Sequence, residues 1–209
     1  DYAEAHYNLG NVLKELGQLD AAVKSYEKAL TIKPDYVEAH YSLGITLQEL
    51  GQLDAAVKGY EEVLAIKPDF AEMHNNLGVI FQDLGQLDAA VKSFEEALAI
   101  KQEFAEAHNN LGNVLKKLGQ LDDVTKYYEK AIAIKPDYAE AHYNLGGTLK
   151  ELGEIGGAIK SLEKAVSINP NYGEAQHMLN ALTGNTSTEP PKEYVKNLFD
   201  DYAERFDDS

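Results

Sequence analysis

One ten-residue pattern returns every 34 residues, and it constrains this chain more than any other feature. Asp1-Tyr2-Ala3-Glu4-Ala5-His6-Tyr7-Asn8-Leu9-Gly10 comes back in recognisable form from Asp35, Asp69, Glu103 and Asp137, with a partial sixth copy from Asn171. A period of this size means that each copy is one supersecondary unit too small to bury its apolar face alone. Successive copies must therefore stack into a solenoid with a long accessible surface. Such a surface suits binding better than chemistry, and the expectation is a chain that is not an enzyme.

The interior of the first copy reads as two helices. Ala5, Leu9, Val12 and Leu16 form one apolar stripe, and His6, Gly10 and Leu13 form its neighbour, so this helix has two packing partners. Glu4, Asn8, Asn11 and Glu15 make the opposite, polar stripe. Gly17 supplies the left-handed residue that ends a helix and recurs as Gly51, Gly85, Gly119 and Gly153. A second helix follows from about Leu19. Asp20, Asp54, Asp88 and Asp122 stand at its start, where a carboxylate complements exposed amides and the positive end of the helix dipole. Its buried side is Ala22, Val23, Tyr26, Ala29 and Leu30, and Pro34, Pro68, Pro136 and Pro170 close the copies.

Three departures interrupt the pattern. Gln102-Glu103 replaces Pro-Asp, which predicts a looser turn with stacking kept. Asp123-Val124-Thr125 stands where other copies have Ala-Ala-Val, which predicts overpacking worth about 1–3 kcal/mol unless the backbone shifts. Gly156-Gly157 replaces the acidic helix start of the fifth copy, at roughly 1 kcal/mol of propensity per glycine. The C-terminal half is expected to be the softer one.

Charge and composition exclude several functions. The formal net charge is -16 at pH 7, and the tail from Glu189 to Ser209 holds seven acids against three bases, so the repeats themselves are acidic. With no basic stripe to displace counterions, nucleic acid is excluded as a partner, and anionic membrane surfaces by the same sign. The absence of cysteine removes disulfides and thiol chemistry. No apolar run reaches membrane-spanning length, no leader precedes Asp1, and the expected location is cytoplasmic. The chain does not begin with Met, so further residues are expected before Asp1.

The recurring set Leu9-Gly10, Leu13, Gly17, Ala22, Tyr26, Ala29 and Pro34 resembles the tetratricopeptide repeat. The resemblance covers about residues 1–182. It implies an all-α, right-handed superhelical solenoid of five helix-turn-helix repeats starting at 1, 35, 69, 103 and 137, with a capping helix at 172–182. It also implies first helices on the concave surface and second helices on the convex back.

Asn8, Ser42, Asn76, Asn110 and Asn144 each precede a Leu-Gly pair on the polar stripe of a first helix. A side-chain amide has one acceptor and two donors, so it can bond both N–H and C=O of an extended peptide. Stacked helices roughly 8–10 Å apart would reach successive stretches of a strand rising about 3.3 Å per residue. This series resembles the asparagine ladder in the repeat region of O-linked N-acetylglucosamine transferases, with Asn8-Leu9-Gly10-Asn11 and Asn110-Leu111-Gly112-Asn113 carrying the motif and Ser42 as a gap. The alternative is that these are solvated polar residues kept by duplication. Tyr7, Tyr41 and Tyr143 sit one residue earlier, with Asn75 and Asn109 in the remaining copies. They either flank peptide side chains or form walls between repeats. Glu4, Glu38, Glu72, Glu106 and Glu140 near the mouth disfavour the carboxylate clamp of the family's chaperone-tail binders.

His6, His40, His74, His108 and His142 are too far apart on stacked helices to share an ion, and they read as packing residues at the family's large aromatic position. No metal or cofactor is expected. No phosphate-binding loop or nucleophile elbow occurs, and Asn185-Thr186-Ser187 has the form of a glycosylation sequon without a secretory leader.

After Leu182 the register ends. Residues 183–191 read as a linker containing Pro190-Pro191, and 192–209 as an amphipathic helix with Tyr194, Val195, Leu198, Phe199, Tyr202 and Phe206 on one side. The stretch Pro190 to Asp207 resembles the segment leading into the catalytic domain of bacterial S-adenosylmethionine-dependent methyltransferases that carry N-terminal tetratricopeptide repeats. That resemblance implies that 192–209 begins a further domain beyond Ser209. The functional expectation is a scaffold that binds an extended, neutral to basic peptide or protein segment, as the recruitment arm of a larger protein. The alternatives are the front of such a methyltransferase, or a scaffold that self-assembles through its C-terminal helix.

Overall fold

A computed structural model describes residues 2–120 and 123–185. The expected helix at 192–209, most of the linker before it and Asp122 lie outside the described residues. Among the described residues there are eleven α-helices and no strand. The first helices of the repeats are α1 (Tyr2–Glu15), α3 (Val37–Glu49), α5 (Ala71–Asp83), α7 (Ala105–Lys117), α9 (Ala139–Glu151) and α11 (Gly173–Thr183). The second helices are α2 (Leu19–Ile32), α4 (Leu53–Ile66), α6 (Leu87–Ile100), α8 (Val124–Ile134) and α10 (Ile155–Ile168). The chain divides into two compact units, one through Val114 and one from Leu115.

In the first unit each helix pair is drawn together where a glycine faces an aromatic ring. A Cβ built on Gly10 would lie 2.5 Å from the Tyr26 ring, one on Gly44 2.4 Å from Tyr60, and one on Gly78 2.7 Å from Phe94. The rings thus rest directly on backbone, and Tyr26, Tyr60 and Phe94 are fully buried. Ala22 and Ala29, with their equivalents Ala56, Ala90 and Ala97, keep the second helix flush against its partners and are likewise buried. Val12 is 52% exposed on α1, whereas Thr46 and Ile80, its equivalents on α3 and α5, are fully buried under the preceding repeat.

The turn inside each repeat follows from Gly17 and its equivalents, all at φ between 71° and 81°. The Gln18 N–H donates to the Leu13 carbonyl and the Gly17 N–H to that of Lys14, each at 2.9 Å, which is the Schellman pattern. Nothing lies within 4 Å of a Cβ built on Gly17, so the demand for glycine there is purely conformational. The aspartates play a smaller part than expected. The N-cap of α2 is Gln18, with no side-chain capping bond, and Asp20 lies inside the first turn, where it acts through the dipole alone.

Between α6 and α7 no proline is present and the link is a bend. At Tyr36 and Tyr138, by contrast, the backbone N–H bonds back to the carbonyl of Lys33 and of Lys135. Stacking persists across that bend, because Phe104 packs with Ala71, Ala97 and Ala107.

The second unit contains the two remaining departures. Val124 is fully buried, and α8 begins there, three positions later than the register of Leu19, Leu53 and Leu87 predicts. Gly156 and Gly157 both lie within a full-length α10, and Leu162 replaces the aromatic, resting on Gly146. The capping helix is present as α11, whose Ala175 packs with Leu162 and Ala165.

Two alanine substitutions separate contact from conformation. Gly78→Ala should lower stability by about 1–3 kcal/mol, because its methyl enters the Phe94 ring. Gly156→Ala should raise it by about 0.5–1 kcal/mol, because its methyl meets nothing. Denaturant titrations of the two variants should therefore shift their midpoints in opposite directions.

Candidate peptide-binding site

The candidate residues of the first unit lie at the same repeat position on α1, α3, α5 and α7. Asn8 is exposed, and Ser42, Asn76 and Asn110 are half-buried. Their chemical situations differ. The Asn110 side-chain N–H donates to the Asn75 Oδ1 at 3.1 Å, tying adjacent first helices together. Ser42 lies near the Tyr26 hydroxyl, and its backbone carbonyl accepts from Thr46 Oγ1 at 2.7 Å. Among the described residues, the side-chain amides of Asn8 and Asn76 meet no hydrogen-bonding partner. In the second unit Asn144 is half-buried on α9, and its backbone carbonyl accepts from Thr148 Oγ1 at 3.0 Å.

Asn11 answers to the second helix of its own repeat, a relation the periodicity did not reveal. The Tyr26 hydroxyl donates to Asn11 Oδ1 at 2.8 Å. Where the second helix carries Phe94, with no hydroxyl, the position of Asn11 is filled by Val79. Where it carries Leu162 the position is Gly147. Tyr60 faces Ile45, which cannot accept, and reaches Gln48 Oε1 at a longer 3.3 Å instead. Pairing of Tyr with Asn, and of Phe with Val, at a separation of 15 residues is the signal in the sequence. Asn113, the remaining member of this series, is half-buried on α7.

The tyrosines before the ladder positions pack within the fold. The Tyr7 ring lies 6.0 Å from Tyr26 and 5.2 Å from Tyr36, and Tyr41 lies 6.4 Å from Tyr60 and 6.2 Å from Phe70. Tyr143 repeats this with Tyr172 at 5.0 Å in the second unit. These centroid distances are those of aromatic pairs in contact, so each ring bridges neighbouring repeats with one edge still accessible. In the two intervening copies Asn75 and Asn109 take the slot and are buried. Lys33, Lys67 and Lys101 each lie 4.4–4.6 Å from the ring that opens the next repeat.

The histidines fasten the joints between repeats. His40 Nε2 donates to the Pro34 carbonyl at 2.7 Å and His74 Nε2 to that of Pro68 at 3.0 Å. His108 reaches the Gln102 carbonyl at 3.0 Å, and in the second unit His142 reaches that of Pro136 at 3.1 Å. Each ring therefore satisfies a carbonyl freed at the end of the preceding helix. His74 also places Nδ1 3.0 Å from Glu96. Among the described residues no group of His, Asp or Glu is arranged to hold a metal ion, and no helix is long and apolar enough to cross a membrane.

A family model described as "TPR repeat" matches residues 10–51, 46–85 and 80–119, and one described as "Tetratricopeptide repeat" matches 105–138 and 139–172. The chain belongs to the tetratricopeptide-repeat family. The helix pairs, the Gly-aromatic contacts and the closing prolines are the form that repeat takes here. Among solved structures, MamA is similar at 27% identity and a TM-score of 0.71, over 77% of this chain and 94% of MamA. YrrB, described as a TPR protein with an unusual peptide-binding site, matches at 25% identity and 0.67, over 83% of this chain and 89% of YrrB. PilF of Pseudomonas aeruginosa, at 20% identity and 0.77 over 88% of this chain and 83% of PilF, shares the fold. No curated protein sequence matches.

Burial of the tetratricopeptide aromatics has a measurable consequence. Burial, then the neighbouring Tyr41 and Glu49, push the Tyr60 phenol above its ordinary value. A phenol whose folded pKa is raised contributes stability that is fully present below the unfolded value of about 10 and is lost as pH rises beyond it. Denaturation measured from pH 8 to pH 11 should show stability falling above about pH 10, with a shallower fall in Tyr60→Phe. An equal fall in the variant would remove Tyr60 as a cause.

Proposed function

We propose that this protein is an interaction scaffold that holds an extended polypeptide segment along the first-helix face of its first unit. The observation carrying this reading is the state of Asn8 and Asn76. Both present side-chain amides that no described residue engages, at ladder positions on the first helices of that unit. An amide so placed can bond the backbone of a passing strand at both its donor and its acceptor. The tyrosines leave an accessible edge beside the strand, and the exposed Glu4 and Glu38 favour a neutral to basic segment. The likeness to YrrB, whose description names a peptide-binding site, supports the same reading.

Because Asn8 and Asn76 are accessible, Asn8→Ala with Asn76→Ala should leave helicity and melting within about 0.5 kcal/mol per site. Loss of two or more neutral hydrogen bonds, each worth about 0.5–1.5 kcal/mol, should weaken a peptide selected from a random library by roughly tenfold. The same peptide with methylated backbone nitrogens should bind weakly to the unaltered protein. Unchanged affinity in the double variant would refute the ladder. Asn110→Ala is a poorer probe, since it also strips Asn75 of its donor.

A further inference from the structure

At four joints between repeats a lysine lies against the aromatic ring that opens the next first helix. Lys33, Lys67, Lys101 and Lys135 end their second helices and place Nζ 4.4–4.8 Å from the ring centroids of Tyr36, Phe70, Phe104 and Tyr138. At the last joint Asn169 stands at the lysine position, three residues before Tyr172. Its backbone is that of the lysines. Asn169 has φ -125° and ψ 93°, against φ -132° and ψ 89° at Lys33, and each N–H donates to the carbonyl four residues earlier. The side chain is short and neutral, and its Oδ1 accepts from the Asn171 N–H at 3.1 Å. Among the described residues no cation takes the lysine's place over the Tyr172 ring.

The rest of the arrangement persists there. Tyr143 lies 5.0 Å from Tyr172 at an interplanar angle of 44°, as Tyr7 lies 5.2 Å from Tyr36 at 48°. The joint at Lys101 shows what else the ammonium meets, since it stands over Phe104 and donates to Glu72 Oε1 at 2.9 Å. Two repeats further on, the equivalents of Glu72 and Phe104 are Glu140 and Tyr172. Glu140 is exposed and Tyr172 half-buried. Burial, then Glu140, Tyr143 and Glu174, push the Tyr172 phenol above its ordinary value, so both carboxylates lie within electrostatic reach of the ring.

We propose that the Tyr172 ring and the Glu140 carboxylate take up a lysine ammonium from a bound polypeptide. The molecule itself selects this occupant. It fills the equivalent position with a lysine at four joints, and at Lys101 ring and carboxylate hold one ammonium together. The face of an aromatic ring and a carboxylate both attract a cation, and a compact ammonium on a flexible stem can reach both at once. The site lies within the second unit and does not depend on the ladder residues Asn8 and Asn76.

The test is a titration of the full chain with the peptide acetyl-Gly-Ser-Lys-Ser-Gly-amide, followed through tyrosine ring and glutamate carboxyl signals. The expected result is concentration-dependent shifts at Tyr172 and Glu140. None should appear at Tyr36 or Tyr138, which already hold a lysine, and none with norleucine in place of the peptide's lysine. Asn169→Lys should fill the position from within and reduce the shifts by roughly threefold or more. Asn169→Ala supplies no cation and should leave them unchanged, while Glu140→Gln should weaken binding about two- to fivefold. An unmoved Tyr172 would overturn the proposal, as would equal shifts at Tyr36 and Tyr172 or undiminished shifts in Asn169→Lys. Equal binding of n-butylammonium would assign the site to small amines and overturn the polypeptide lysine as its occupant.

Discussion

A glycine backbone against an aromatic face is the contact on which the other features of each repeat depend. At Gly10, Gly44 and Gly78 the ring of the second helix occupies the volume a Cβ would need, so the helices approach closely enough for Ala22, Ala29 and their equivalents to fill the remaining interface. That closeness passes a tyrosine hydroxyl through the pair to the polar side of the first helix, where Asn11 and Gln48 accept from it. Replacing the ring shifts the polar side too. Fifteen residues before Phe94 stands Val79, and fifteen before Leu162 stands Gly147. The core and the candidate binding face are therefore not independent surfaces of the repeat.

The joints between repeats are built with equal economy of parts. A proline ends the second helix, and its carbonyl, which no helix partner can satisfy, is taken by the histidine six residues later. The aromatic that opens the next first helix receives a lysine on one face, and where the preceding first helix supplies Tyr7 or Tyr41 it receives that ring too. Where Gln102 replaces proline the histidine still finds a carbonyl, which explains how that joint keeps its stacking after losing its turn.

Helix boundaries were legible in the chain because Gly17 and Pro34 and their equivalents act through local conformation, which a linear pattern records directly. The roles of Asn11 and the histidines were not, because they depend on which neighbour lies across a helix pair or a joint. Asn11 reads as one more ladder residue until the Tyr26 hydroxyl is seen on it, and His40 as plain packing until the Pro34 carbonyl is.

The central claim is that Asn8 and Asn76 are left accessible in order to read the backbone of a bound strand. The most direct measurement is a nitrogen-detected titration that follows the side-chain amide groups of all the asparagines as a library-selected peptide is added. The account predicts large, saturable shifts for Asn8 and Asn76, with the Asn11 amide, anchored by Tyr26, moving little. Shifts confined to residues of α2, α4 and α6, with Asn8 and Asn76 unmoved at saturation, would contradict it.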